Sequence, residues 1–140
     1  MISVRKQEVV KLENVLHLYQ AVGWTNYTHQ PQMLEKSLSH SLAIYLALDG
    51  EAIVGLVRLV GDGFSSVFVQ DLIVLPSYQR QGIGSALMKE ALRDFKDAYR
   101  VQLATDQTEK NLEFYRSLGF ETLSTYDCTG MIWVERKKIK

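Results

Sequence analysis

The chain has 140 residues, 46% of them hydrophobic and 23% charged, a balance that fits a folded globular domain and excludes a disordered one. Lys plus Arg number 16 and Asp plus Glu number 16, so the formal net charge is zero and no chain-wide field draws in nucleic acid or an anionic membrane. A single cysteine, Cys128, excludes an internal disulfide and a cysteine-based zinc cluster, and points to a reducing, cytoplasmic compartment.

Residues 2–4 are expected to form a short first strand. Across 9–22, Leu12, Val15, Leu16, Tyr19 and Val22 recur at helical spacing, and Gly23 is a natural stop. Residues 23–28 read as a loop holding two large aromatics, Trp24 and Tyr27. Residues 32–42 read as a second helix with Pro31 near its first turn. An apolar run over 42–48, the Asp49-Gly50 turn signal and a return strand over 52–60 predict a tight hairpin. After the turn Gly61-Asp62-Gly63, residues 64–75 form a third strand of the same antiparallel meander.

Beyond an irregular loop over 76–84, Leu87, Met88, Ala91, Leu92, Phe95 and Tyr99 predict a helix over 85–98. A strand over 101–105 follows. The next helix spans 109–118, with Asp106 and Glu109 spaced as a capping box and Gly119 at its end. Residues 121–126 and 131–136 are expected to pair as a final hairpin. The strand-helix-strand crossover sets the third and fourth main strands parallel. The fold class is therefore α/β (α+β): a mixed, mostly antiparallel central sheet with helices on both faces. Only Pro31 and Pro76 are prolines and no linker-like stretch divides the chain, so residues 1–140 are expected to form one domain. The first six residues are not followed by an apolar signal core, and no run of about eighteen apolar residues occurs, so neither secretion nor a membrane span is expected. His17, His29 and His40 lack metal-ligand spacing, so no metal is expected.

The stretch with chemical content is Val74-Leu75-Pro76-Ser77-Tyr78-Gln79-Arg80-Gln81-Gly82-Ile83-Gly84-Ser85, which joins a buried strand to a helix. Free backbone N–H groups and the positive end of the helix dipole suit such a place to phosphate. Gly82 and Gly84 permit close approach, and Arg80 adds a charge. The alternative is a tight turn that binds nothing. Two common phosphate motifs fail: no Lys precedes Ser85, as a P-loop needs, and no third Gly follows Gly84, as the dinucleotide fingerprint needs.

Gln79, Gly82 and Gly84 fit the pattern Gln/Arg-x-x-Gly-x-Gly/Ala, which resembles motif A of the GNAT superfamily of N-acetyltransferases. Asp71-Leu72-Ile73-Val74-Leu75-Pro76 is similar to the strand and turn before that motif. Phe114-Tyr115-Arg116-Ser117-Leu118-Gly119-Phe120 resembles motif B. The order of elements agrees over nearly the whole chain, and the residue-level likeness covers about 71–120.

The resemblance implies acetyl-CoA as acyl donor. Backbone amides from Arg80 to Ser85 (Arg80, Gln81, Gly82, Ile83, Gly84, Ser85) would hold its pyrophosphate. The edge of Leu72, Ile73 and Val74 would pair with the pantetheine arm, in a slot opened by a bulge and splaying of that strand. A backbone N–H near Leu72 would face the acetyl carbonyl. Tyr115 would protonate the leaving thiolate; read from spacing alone it lies on an apolar helical face with Leu112 and Leu118. Relatives often carry Asn seven positions before this Tyr; here that position is Thr108, and Asn111 stands four before, so both are candidate cofactor contacts.

The acceptor would be a small-molecule or peptide amine, which must lose a proton before attack because an alkylamine has a pKa near 10. Many relatives use a Glu on the central strands; this third strand offers Gln70 and Asp71. Trp24, Tyr27 and Asp71 are candidate acceptor-side residues, with Trp24 and Tyr27 equally readable as loop anchors, Asp71 as a structural carboxylate, and His29 as a further neighbour. Exposed strand edges are compatible with a homodimer. No nucleic-acid or membrane partner is expected, and the basic tail 136–140 reads as a solvated terminus. Two other readings stand beside N-acetyl transfer: an acyl-CoA-binding module without catalysis, and a nucleotide-phosphate-binding interaction domain.

Overall fold

Asp49-Gly50 turns the chain where two apolar runs meet, and the rest of the sheet grows from that hairpin. In a computed structural model, which describes residues 1–134, β2 (Ala43–Asp49) pairs antiparallel with β3 (Ala52–Gly61), and Gly50 takes φ +63°. That left-handed backbone is accessible to glycine without a Cβ clash. β1 (Ile2–Lys6) and β4 (Val67–Val74) add antiparallel on either side, and β5 (Val101–Leu103) joins β4 in parallel, giving the order β1-β2-β3-β4-β5. The mixed, mostly antiparallel sheet is the one expected from sequence.

β2 and β3 are buried on both faces, which is why they read as continuous apolar runs rather than as alternation. Ile44, Leu46, Leu48, Leu56 and Ile73 pack with Val15, Leu18 and Tyr19 of α1 (Leu12–Ala21), Tyr27 of α2 (Thr25–Thr28) and Leu34 and Leu38 of α3 (Pro31–Ser39). Each fully buried aliphatic contributes roughly 1.5–3 kcal/mol. The alternate residues of β2 face α4 (Ile83–Asp94): the Tyr45 hydroxyl donates to Asp94 Oδ2 at 2.6 Å. A Cβ on Gly55 would come 3.4 Å from Leu87 Cδ1 and 2.9 Å from the Ile73 carbonyl oxygen, so the sheet needs glycine there.

The chain divides into two compact units, Met1–Ala104 and the part from Thr105 onward. The first holds the whole sheet and α1–α4. In the second, α5 (Glu109–Ser117) is capped by Thr108, whose Oγ1 accepts the Asn111 N–H at 3.1 Å, and Gly119 follows its end at φ +101°. Among the described residues, no helix is long and apolar enough to cross a membrane.

Several boundaries differ from expectation. Residues 23–28 are not all loop, because 25–28 make one helical turn. α4 starts two residues early, at Ile83, because Gly82 serves as its N-cap in a left-handed conformation. The β3–β4 connection runs to Ser66, because Asp62 Oδ1 accepts the N–H groups of Phe64, Ser65 and Ser66 and holds them in a turn. Thr108, not Asp106, caps α5; the backbone carbonyl of Asp106 accepts the Thr108 N–H instead. The final hairpin does not form among the described residues. Leu123–Tyr126 is a 3-10 turn closed by left-handed Asp127, and 131–134 are irregular. Its last two positions, 135 and 136, lie outside the described residues, as does the basic tail.

Candidate functional site

The phase of the β3–β4 ladder sets which backbone groups are free. Leu75 N–H donates to the Val54 carbonyl at 2.9 Å, and the pairs Leu56–Ile73 and Arg58–Asp71 follow at two-residue steps. In an antiparallel pair the intervening residues, Leu72 and Val74, then point their polar backbone groups away from β3. On that side β5 pairs only with Val67, Phe68 and Val69. Leu72, Ile73 and Val74 therefore have no strand neighbour on that side among the described residues. The Ile73 side chain is buried among α1–α3, while Leu72 and Val74 are half-buried. The ladder also carries a bulge: Arg58 faces Asp71 but Leu59 faces Val69, so Gln70 is the extra residue.

Next in sequence, Pro76–Tyr78 makes a single 3-10 turn, and Gln79 Nε2 donates back to the Val74 carbonyl at 3.1 Å. Arg80 lies at φ +66° and Gly82 at φ +80°. For Arg80 this backbone costs roughly 1–2 kcal/mol, which glycine at 82 does not incur. Alternation of this kind turns successive N–H groups to one side, making an anion-binding concavity. No side chain caps α4, and the N–H groups from Gln81 to Ser85 have no acceptor among the described residues. Gln79, Arg80, Gln81 and Gly82 are exposed and Ile83 is buried, so the helix end is anchored while its loop is open. Free amides, the helix dipole and the Arg80 charge together suit a phosphate group.

A second cluster lies under the α1–α3 layer. Asp71 is 2% exposed and Arg58 4%. Asp71 Oδ2 accepts Arg58 Nε at 2.8 Å and the Tyr19 hydroxyl at 2.8 Å, and its Oδ1 accepts the Tyr27 hydroxyl at 2.9 Å. Arg58 also donates to Ser41 Oγ at 3.2 Å and the Tyr27 hydroxyl oxygen at 3.3 Å, and Gln70 Nε2 to that same oxygen at 3.4 Å. Burial, then the Asp71 charge, push the Tyr27 phenol above its ordinary value. Tyr27 is nearly buried and Trp24 half-buried, with ring centroids 6.2 Å apart, and both pack around Tyr19. Asp71 is thus a buried carboxylate held by three side chains, a structural role. Arg58 and Tyr19 were not singled out from sequence, although one Arg in the apolar run of β3 beside one Asp in β4 was a legible signal. His17 donates to the Ile53 carbonyl at 2.8 Å and His29 is exposed at the end of α2.

Thr108, Asn111 and Tyr115 belong to the second unit. Thr108 is occupied as the cap of α5, and Asn111 Nδ2 donates to Thr105 Oγ1 at 3.2 Å. The half-buried Tyr115 ring meets Phe114 at 4.9 Å and Phe120 at 5.9 Å, both edge-on. Burial raises its phenol pKa.

Residues 40–122 match the family described as acetyltransferase (GNAT) domain. The chain belongs to this family. A GNAT-family acetyltransferase of Streptococcus pneumoniae TIGR4 shares 77% identity, covers 98% of this chain and 100% of its own, and superposes with a TM-score of 0.91. The chloroplastic GCN5-related N-acetyltransferase 1 of Arabidopsis thaliana is 29% identical over 140 residues, 97% of this chain. This chain spans 68% of that relative's length, and 35% and 32% of two other curated relatives. An aminoglycoside N-acetyltransferase in complex with CoA shares only 18% identity but has a TM-score of 0.69, with 98% of this chain and 95% of its own covered, a likeness of fold alone.

Proposed function

We propose that residues 1–140 act as one N-acetyltransferase domain, moving an acetyl group from acetyl-CoA to a primary amine by direct attack in a ternary complex. The observation that carries this reading is the loop into α4, where left-handed Arg80 and Gly82 precede an uncapped helix with free N–H groups from Gln81 to Ser85. Family membership supports acetyl transfer in general, and a neighbour of like fold was solved with CoA.

In this reading those N–H groups and Arg80 hold the pyrophosphate. The Leu72–Val74 edge takes the pantetheine arm as an added strand, and the Leu72 N–H stabilises the developing oxyanion. Acetyl-CoA supplies a thioester, which an unprotonated amine attacks without a covalent enzyme intermediate. Tyr115, a phenol protonated at neutral pH and pushed higher still by burial, donates to the departing thiolate. Thr108 and Asn111 are the further cofactor contacts the family pattern suggests. Trp24 and Tyr27 line the acceptor side and favour an aryl or alkyl amine. Because Asp71 is buried and paired with Arg58, the proton of the incoming ammonium leaves through solvent.

The experiment is turnover of acetyl-CoA against a panel of amines, with detection of the free thiol. Amine-dependent thiol release supports the reading. Tight acetyl-CoA binding without turnover on any amine would leave a cofactor-binding module.

A further inference from the structure

We propose that Arg58 and Asp71 form a register clamp that holds β4 in its bulged form and thereby positions the Leu72–Val74 edge for the arm of acyl-CoA. The inference rests on the cofactor reading above and assigns a positioning role to a pair that takes no part in the chemistry.

Three features coincide within a few residues of β4. Arg58–Asp71 is the last pair in register before the shift to Leu59–Val69. Gln70, between them, is the bulged residue. Pairing with β5 stops at Val69–Leu103, and the unpaired edge begins just beyond. An ion pair is a costly way to fill this space, since both charges lose their water, and apolar residues of the same volume are often as stable or more so. What an ion pair adds is registry. A slip of one residue would turn Asp71 to the α4 face and leave two buried charges unpaired.

The clamp is also tied to the layer above it. Tyr19 from α1 and Tyr27 from α2 each donate to the carboxylate, and Arg58 reaches Ser41 ahead of β2. The carboxylate and guanidinium thus fix where the bulge lies against three other segments. Without the bulge, β4 would run on as a regular strand, and the edge beyond its pairing with β5 would lose its position.

The test separates the arm of the cofactor from its phosphates. Acetyl-CoA and adenosine 3′-phosphate 5′-diphosphate, which carries the phosphates without the arm, are titrated calorimetrically into wild type and Asp71→Asn. Titrations are run where circular dichroism shows a native fold. The clamp predicts that Asp71→Asn weakens acetyl-CoA binding about tenfold or more and changes nucleotide binding less than about twofold. Unchanged acetyl-CoA affinity, or equal loss for both ligands, overturns it. Should Asp71→Asn not fold, Tyr19→Phe decides: it keeps the ion pair, removes one donor, and is expected to weaken acetyl-CoA alone by about threefold, with no change overturning the proposal. If wild type binds neither ligand, the cofactor reading fails and the clamp's role with it. If wild type binds both and the variants match it, the clamp alone fails.

Discussion

The Tyr78 hydroxyl donates a 2.6 Å hydrogen bond to Asp49 Oδ2, tying the loop that leads into α4 to the turn between β2 and β3. The phenol holds the Asp49 carboxyl below its ordinary value, and the carboxylate in turn raises the phenol. The loop is thereby fixed before any ligand arrives, which lowers the ordering cost of binding. Tyr78→Phe should weaken acetyl-CoA by roughly threefold to tenfold while the melting temperature stays nearly constant. Calorimetric titration of the variant checks this, and an unchanged affinity would show that the tether does not serve the loop.

Gly84 lies in the first turn of α4. A side chain there leans toward the helix N-terminus, over the free N–H groups. Gly84→Val should therefore abolish detectable acetyl-CoA binding, and the far-ultraviolet spectrum should remain that of the wild type. Binding at the wild-type level would remove the loop from the account.

Tyr115→Phe keeps the ring that packs against Phe114 and Phe120 and removes the proton. The expected result is a fall in kcat of about a hundredfold or more, with acetyl-CoA affinity within about twofold of wild type. The wild-type rate should also climb with pH, close to tenfold per unit while the amine is mostly protonated, because no carboxylate in the Asp71 cluster is free to take the proton. Since burial raises the Tyr115 pKa, loss of the donor should come only above about pH 10. A bell centred near neutrality would require a different acid or base.

Asp62 makes a prediction about acid stability. The Ser65 hydroxyl first, and then the N–H groups of Phe64, Ser66 and Ser65, hold its carboxyl well below the ordinary value of 3.8. A carboxyl whose folded pKa is depressed stabilises the fold at pH above its unfolded value, and that contribution drains away as pH falls toward the folded one. Asp62→Asn should melt below wild type at pH 7, and the gap should close as pH drops below about 4. Melting curves across that range test it; a gap independent of pH would mean the charge is not the stabilising element.

Sequence periodicity located α1, α4 and the β2–β3–β4 meander because each has a one-sided or continuous apolar pattern, while Pro31 marked the start of α3 and Gly119 the end of α5. The Asp49-Gly50 turn was legible for the same local reason: few residues other than glycine take the backbone seen at Gly50. The final hairpin was not. Leu123 and Tyr126 stand three residues apart, off the two-residue step of a strand, and Thr122 Oγ1 bonds the hydroxyls of Ser124 and Thr125, local contacts that favour a turn over a ladder. At the candidate site, the loop from Gln79 to Ser85 was legible as a motif, because glycine spacing reports backbone conformation directly. The left-handed Arg80 was not, since nothing in an arginine announces it. Arg58 and Asp71 were legible only as lone charges in apolar strands; the network they form was not, because the partners of Asp71 lie 13, 44 and 52 residues away and no local pattern joins them.

The most direct test of the acyl-CoA reading is the thermal shift of the pure protein with acetyl-CoA, CoA, ATP and NAD in parallel. A ligand that binds only the folded chain, at about 100 times its Kd, adds roughly 2.7 kcal/mol, enough to raise the melting temperature by several degrees. The account predicts a rise with acetyl-CoA and with CoA and none with ATP or NAD. No rise with either CoA ligand at millimolar concentration, or a larger rise with ATP or NAD, would contradict it.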